Sequence, residues 1–180
     1  MATDIDIKVI QSVTVKPSSP TPDNHRLYKL SFLDQVCPTH RTPVILFYPR
    51  TTDLINISQT SQLLKKSLSQ TLTSFYPFAG KLRDNIAIEC NDQGAEFVVA
   101  RVNCPLSKIL ENPDMATLTQ LIPSPAIPKE ASFTSPLLLV TASFFDCGGM
   151  AIGVCLSHKA GDASTLSTFL NSWAATTSKP

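Results

Sequence analysis

The chain has 180 residues, of which 43% are hydrophobic and 16% charged, and its formal net charge is +1. This length and balance are typical of a folded domain with its own core and exclude an intrinsically disordered chain. The near-neutral charge, with Lys65-Lys66 as the only adjacent basic pair, argues against a nucleic-acid-binding protein.

Cysteine usage and the N-terminus indicate the compartment. The chain has five cysteines, an odd number, and no C-x-x-C pair. This pattern favours a reducing compartment over a disulfide framework or a structural zinc site. The segment Met1–Asp6 is acidic and has no long apolar run, unlike a secretory or transit peptide. We therefore expect a cytoplasmic protein.

The first third of the chain contains two predicted strands and a short helix. Ile5, Ile7 and Val9 alternate with polar residues, which predicts a half-buried strand. The segment Tyr28–Val36 predicts the end of a strand turning into a short helix. The apolar run Val44–Tyr48 lies between two prolines and predicts a buried strand.

The first long helix is predicted from Ser58 to Ser74. Leu64, Leu68 and Leu72 recur every four residues and form one apolar face. Ser58 is predicted as the N-cap, and Pro77 ends the helical pattern.

The middle of the chain is predicted to contain a hairpin, a short helix and a long connection. Ile86–Cys90 and Ala95–Val102 flank a turn-like Asn-Asp-Gln-Gly sequence, which predicts paired strands. Pro105–Glu111 predicts a short helix. Asn112–Pro136 contains five prolines and predicts a surface connection.

One apolar segment, Pro136–Ser157, is long enough to cross a bilayer and carries a single charge, Asp146. The charge and the following Gly148-Gly149 pair lie at its centre, where they fit a tight turn better than a membrane span. We therefore expect two buried strands, Leu137–Phe145 and Met150–Ser157.

Small and large residues alternate between Ala151 and Ser157. A strand would place the large set in a core and leave the small face open to close backbone approach or to a ligand. An amphipathic helix capped by Asp162 or Ser164 is predicted to follow, with apolar residues at Leu166, Phe169, Leu170 and Trp173. His158 would lie between this strand and helix, a position typical of active-site residues.

The spacing of His158 and Asp162 is weak evidence by itself. Spacing alone favours an aspartate that caps its own helix beside a partly buried histidine. A metal site would need a third ligand, and only Cys155 is close in sequence.

A cysteine nucleophile paired with His158 is an alternative, with Cys155 or Cys147 as the thiol. In a strand, however, Cys155 should face away from His158, as a small buried residue does.

His25 and His40 lie among polar and proline residues and are predicted as loop histidines.

Six segments, spread over most of the chain, together resemble the N-terminal half of the BAHD acyltransferases, a family of plant acyl-CoA-dependent enzymes. The vinorine synthase-like alkaloid acetyltransferase branch is the most similar. The segments, in family order, are Leu30–Gln35, Phe75–Leu82, Cys90–Gly94, Phe145–Gly149 with Ala151–Gly153, Ser157–Ala163, and Phe169–Trp173.

The resemblance implies an α/β, chloramphenicol-acetyltransferase-like fold, a mixed β-sheet with flanking helices. Residues 1–180 would be the N-terminal acyltransferase domain, one of two in the full fold, with the second absent from this chain. It also implies acyl-CoA, with acetyl-CoA expected, as a co-substrate, an alcohol such as a plant alkaloid as acceptor, and no bound cofactor or metal. Most residues that bind CoA would belong to the second domain.

The resemblance also assigns roles within the motif. His158 would be the general base that takes the proton of the acceptor hydroxyl. Asp162 would shape the loop and pair with an arginine of the second domain, and Gly161 replaces an alanine frequent in relatives.

The resemblance implies small-molecule partners, with neither nucleic acid nor membrane. An apolar face that would normally pack on the second domain favours association. A truncated, non-catalytic half-domain that acts only through binding is the alternative function, and a Cys/His hydrolase is a third.

Overall fold

A computed structural model describes residues 5–37, 40–50, 56–123 and 135–178. Within these ranges the chain forms eight strands and five α-helices. In chain order they are β1 (Ile7–Val15), β2 (Leu27–Lys29), α1 (Phe32–Val36), β3 (Arg41–Tyr48), α2 (Ile57–Ser74), β4 (Lys81–Arg83), β5 (Ala87–Glu89), β6 (Ala95–Val102), α3 (Leu106–Glu111), α4 (Met115–Gln120), β7 (Leu138–Phe145), β8 (Met150–Ser157) and α5 (Ala163–Thr177).

The main sheet has five strands in the order β1-β6-β7-β8-β3. Strands β6 and β7 are parallel, and the other neighbours are antiparallel. A second, antiparallel sheet has the order β2-β5-β4. This mixed sheet with flanking helices confirms the predicted α/β class.

Helices α2 and α5 cover one face of the main sheet. The large residues of β8, Ile152, Val154 and Leu156, pack there with leucines of α2 and with Phe169 of α5 in one buried cluster. The indole N–H of Trp173 ties the two helices together by donating to Ser67 Oγ of α2 at 2.9 Å. The predicted apolar faces of both helices are therefore confirmed.

The face of β8 that carries the small residues lies against the segment that follows α4. A Cβ added to Gly153 would overlap the carbonyl oxygen of Leu121, at the end of α4. Since only glycine admits this approach, the predicted close backbone contact is confirmed. The connection after α3 therefore covers the second face of the sheet at this point.

Every residue of β7 and β8 is buried, as predicted for the apolar segment that contains them. The turn between these strands includes Gly148, whose φ is +83°. Across the described ranges, none of the helices combines the length and the apolar character that a membrane crossing requires.

The predicted hairpin of Ile86–Cys90 with Ala95–Val102 is wrong. Strand β5 pairs with β2 and β4, whereas β6 pairs with β1 and β7 in the other sheet. Asp92, in the connection between β5 and β6, bonds instead to the segment before β2: its carboxylate accepts from the Thr21 hydroxyl at 2.6 Å and from Arg26 at 3.0 Å.

Three smaller predictions also need correction. Strand β3 was expected to be buried, but it is the edge strand beside β8, and most of its residues are half-buried. Pro43 lies inside it, which an edge strand tolerates because one side needs no donors. Strand β1, expected to be half-buried, is the opposite edge and mostly exposed. Helix α2 is capped by Asn56, not by the predicted Ser58.

Candidate active site

His158 follows the last residue of β8. Its backbone N–H donates to the carbonyl of His40 at 3.0 Å, which continues the β3–β8 pairing one step past Arg41 and Ser157. The rings of His158 and His40 lie 5.0 Å apart. His40 is exposed, as a loop histidine would be, but the fold places it against the candidate base.

Cys37 is the residue that the sequence did not predict at this site. Its Sγ lies 3.3 Å from Nδ1 of His158, although 121 positions separate the two residues. Cys37 caps the C-terminal end of α1, where its N–H donates to the Leu33 carbonyl at 3.1 Å. Among the described residues, Cys37 is the only hydrogen-bond partner of the His158 ring.

Lys159 fixes α1 against the motif. Its side chain is buried, and Nζ donates to the carbonyls of Gln35 at 2.8 Å and Asp34 at 3.2 Å. These bonds to two carbonyls of α1 compensate part of the cost of burying an ammonium group. The residue that follows His158 in sequence therefore holds the helix that carries Cys37.

Asp162 is the N-cap of α5. Its Oδ1 accepts from the backbone N–H of Thr165 at 2.8 Å and from the Thr165 hydroxyl at 2.7 Å, which confirms the predicted cap. Among the described residues Asp162 forms no ion pair, so its arginine partner stays a prediction. A Cβ on Gly161 would lie 2.8 Å from Cγ2 of Thr165, so the glycine leaves room for the capping threonine.

The capping interaction predicts an acid-dependent stability. The Thr165 N–H and then its hydroxyl lower the pKa of Asp162 below the ordinary value of 3.8. Because the folded pKa lies below the unfolded one, the carboxylate stabilises the fold above about pH 4, and this contribution is lost as the pH falls further. Urea unfolding at about pH 6 and about pH 3 should show a smaller acid-induced loss for Asp162→Asn than for the unaltered chain. An equal loss in both proteins would contradict this assignment.

A groove of about 460 Å³ borders the Asp162 end of the motif loop. Apolar residues of β3 and α5, including Val44, Leu46 and Leu166, line most of it, together with Gly161 and Asp162. His158 is not among the residues that line this groove, so Asp162 and the candidate base face different surroundings.

Neither predicted nucleophile reaches His158. Cys155 is fully buried, and burial raises the pKa of its thiol to about 11. Cys147 lies in the β7–β8 turn, where its Sγ accepts from the N–H groups of Leu106 and Gly149 at 3.3 and 3.4 Å. That turn is at the other end of β8 from His158, so the Cys/His hydrolase hypothesis with these cysteines is wrong.

Thiol alkylation should separate the cysteines into two groups. Burial raises the pKa of the Cys90 thiol to about 11 and also raises that of Cys104, and both side chains are buried like Cys155. Since the thiolate is the reactive form, iodoacetamide at about pH 8 should label half-buried Cys37 and Cys147 first. Peptide mass mapping over time checks the order, and labelling of Cys155 as fast as Cys147 would contradict it.

The chain is similar to known proteins over nearly its whole length. A family model described as the Transferase family matches residues 5–180. Stemmadenine O-acetyltransferase of Catharanthus roseus is 45% identical over 174 residues, which cover 94% of this chain and 41% of that protein. Vinorine synthase of Rauvolfia serpentina is 49% identical over 167 residues, with 90% and 39% covered.

Solved structures agree with this result. The crystal structure of vinorine synthase matches with a TM-score of 0.89 and 45% identity, covering 96% of this chain and 43% of that chain. F. sporotrichioides TRI101, solved with coenzyme A and T-2, matches with a TM-score of 0.62 at 18% identity, which shows the fold alone, and covers 84% of this chain and 41% of that one. The chain thus spans about 40% of the length of these relatives. It belongs to the Transferase family and corresponds to the N-terminal half of its BAHD acyltransferases.

Proposed function

We propose that the protein containing this chain transfers an acetyl group from acetyl-CoA to a hydroxyl of a plant specialised metabolite such as an alkaloid. The carrying observation is the position of His158, at the β8–α5 junction of a chain 45% identical to an O-acetyltransferase. The printed names of other relatives agree with this reaction, among them salutaridinol 7-O-acetyltransferase of Papaver somniferum, 43% identical over 180 residues.

The chemistry follows from the properties of imidazole. An alcohol is a poor nucleophile at neutral pH, and histidine, with an ordinary pKa near 6.5, is well matched to remove its proton. Nδ1 of His158 faces Cys37, so Nε2 is the nitrogen available to an acceptor. As Nε2 takes the proton, the alcohol oxygen attacks the thioester carbonyl.

The tetrahedral intermediate then expels the CoA thiolate, which receives the proton from the imidazolium. The products are the acetate ester and free CoA. The reaction needs neither an acyl-enzyme nor a metal ion.

We further infer that residues 1–180 form the N-terminal domain of a two-domain, cytoplasmic enzyme. The second domain would supply most contacts to CoA and an arginine for Asp162. This inference agrees with the coverage of about 40% of each relative. It also agrees with the absence of any ion pair of Asp162 within the described ranges.

The test is acyl transfer by the protein that contains this chain. Purified protein, acetyl-CoA and a panel of alkaloid alcohols should release free thiol only when an acceptor is present, and mass spectrometry should detect the acetylated alcohol. Thiol release without an acceptor would indicate thioester hydrolysis instead. A protein that folds, binds no acetyl-CoA and acetylates no alcohol would favour the non-catalytic alternative, a half-domain that acts through association.

A further inference from the structure

Base catalysis by His158 requires no thiol, yet the Cys37 sulfur lies 3.3 Å from its Nδ1. We propose that Cys37 is a positioning residue for the base, whose Sγ accepts a hydrogen bond from the Nδ1–H of His158. The contact keeps the ring in the tautomer with an unprotonated Nε2. This inference rests on the proposed role of His158 and assigns that role a partner within the same domain.

The tautomer matters because a neutral imidazole carries only one N–H. If the proton sits on Nε2, that nitrogen cannot accept the proton of an alcohol. A thiol can donate or accept, so the contact between Sγ and Nδ1 is compatible with either direction. The proposed direction, in which Sγ accepts from Nδ1–H, is the one that leaves Nε2 free to take a proton. Once Nε2 has been protonated, both ring nitrogens are donors, so the contact with Sγ persists and stabilises the imidazolium.

Both partners of this contact are held in place by neighbouring groups. On one side, the His158 backbone is paired with His40 across β3 and β8 at 3.0 Å. On the other side, Cys37 is the C-cap of α1. The buried Lys159 donates to the carbonyls of Asp34 and Gln35 in the same helix. The backbones of both residues are therefore held close together, which keeps Sγ within reach of Nδ1.

The ring of His40 also lies beside His158, with the two centroids 5.0 Å apart and the planes tilted by 57°. No hydrogen bond joins the two rings among the described residues. Cys37 is thus the group that can select the tautomer.

The 180-residue chain itself allows a direct test, because it has only three histidines. Long-range proton–nitrogen NMR of the nitrogen-15-labelled chain at about pH 8 distinguishes the protonated from the unprotonated ring nitrogen of each neutral histidine. Variants His25→Gln and His40→Gln assign the signals. We expect Nδ1–H for His158 in the unaltered chain, Nε2–H in Cys37→Ala, and recovery of Nδ1–H in Cys37→Ser.

Cys147→Ala is the matched control. Cys147 is also half-buried, but it contacts Leu106 and Gly149 at the far end of β8. This variant should leave the His158 signals unchanged. Unchanged His25 signals show that each variant has folded, and if Cys37→Ala does not fold, the unaltered chain and Cys37→Ser still give a result. An Nε2–H tautomer in the unaltered chain, or the same tautomer in Cys37→Ala, would overturn the inference.

A kinetic measurement on the protein that contains this chain completes the test. Cys37→Ala should lower kcat about tenfold, as expected for one lost hydrogen bond to the base, with little change in the KM for acetyl-CoA. Cys37→Ser should keep most of the activity. Intact-mass analysis after incubation with acetyl-CoA should show no acetyl group on Cys37, and a stoichiometric adduct would instead make Cys37 a nucleophile and overturn the positioning role.

The two proposals fail in different ways. Retained turnover in His158→Gln would contradict the proposed role of His158 as the base, whatever the tautomer. A tautomer that does not depend on Cys37, in a protein that His158→Gln inactivates, would contradict only the positioning role.

Discussion

Replacing His158 by glutamine should lower the turnover of acyl transfer about 10²–10⁴-fold, the usual contribution of a general base. Glutamine has nearly the same reach, and its amide can still bond near Cys37, but it cannot accept a proton near neutral pH. The backbone bond from residue 158 to His40 remains, so the β3–β8 pairing should be intact. The loss should therefore fall on kcat, with a small effect on the KM for acetyl-CoA.

Thiol release and product mass, measured with saturating acetyl-CoA, check this result. His25→Gln is the matched control, because His25 packs edge-on against Tyr76 at 5.2 Å, and among the described residues no hydrogen bond joins it to His158 or Asp162. It should retain full turnover. Activity of His158→Gln within about threefold of the unaltered protein would remove His158 from the role of base.

Phe169→Ala should have the largest effect on stability, about 3–5 kcal/mol of the free energy of unfolding. Phe169 is fully buried on α5, with its ring centroid 5.3 Å from those of both Phe75 and Phe78. Truncation would leave a cavity between α5 and the end of α2 that these rings can only partly fill. Because Asp162 caps the first turn of α5, the motif loop would also lose the helix that it precedes.

Urea denaturation of the 180-residue chain measures this loss. Ser167→Ala, on the exposed side of the same helix, is the control and should change the free energy of unfolding by at most about 0.5 kcal/mol. The loss of unfolding free energy in Phe169→Leu should lie between those of Ser167→Ala and Phe169→Ala. A loss below about 1 kcal/mol for Phe169→Ala would show that α5 does not depend on this aromatic cluster.

The sequence predicted those elements whose apolar pattern reports directly on burial. Strands β7 and β8 lie within one residue of their predicted bounds, because a continuous apolar run interrupted by Asp146 and two glycines leaves few alternatives. Helices α2 and α5 have their predicted apolar faces, because apolar residues recur there every three or four residues. Asp162 was also predicted as a cap, since side-chain capping is a local interaction.

The errors concern choices of partner, which local patterns do not encode. The sequence around Asp92 reads as a hairpin turn, but its carboxylate bonds to Thr21 and Arg26, far away in the chain. The apolar run of β3 suits a buried strand as well as an edge strand packed on α5, and only Pro43 signals the edge. The predicted surface connection Asn112–Pro136 is wrong in its described part, because it contains α4 and the fully buried Leu121. Its residues 124–134 lie outside the described residues.

The candidate site was predicted in part. His158, Gly161 and Asp162 form a local motif, and the structure places all three in one loop. Cys37 and the role of Lys159 were missed because they depend on contacts across more than 120 positions. A half-buried cysteine and a lysine carry no sequence signal of such a contact.

The strand order has a consequence for the order of folding. Both edge strands of the main sheet, β1 and β3, come from the first 48 residues, whereas the three strands between them come from residues 95–157. Neither edge strand can pair until the central strands have been synthesised, and such long-range pairing slows folding. During translation β1 and β3 would therefore remain unpaired after β2 has already met β5. The contact between Cys37 and His158 would be among the last to form.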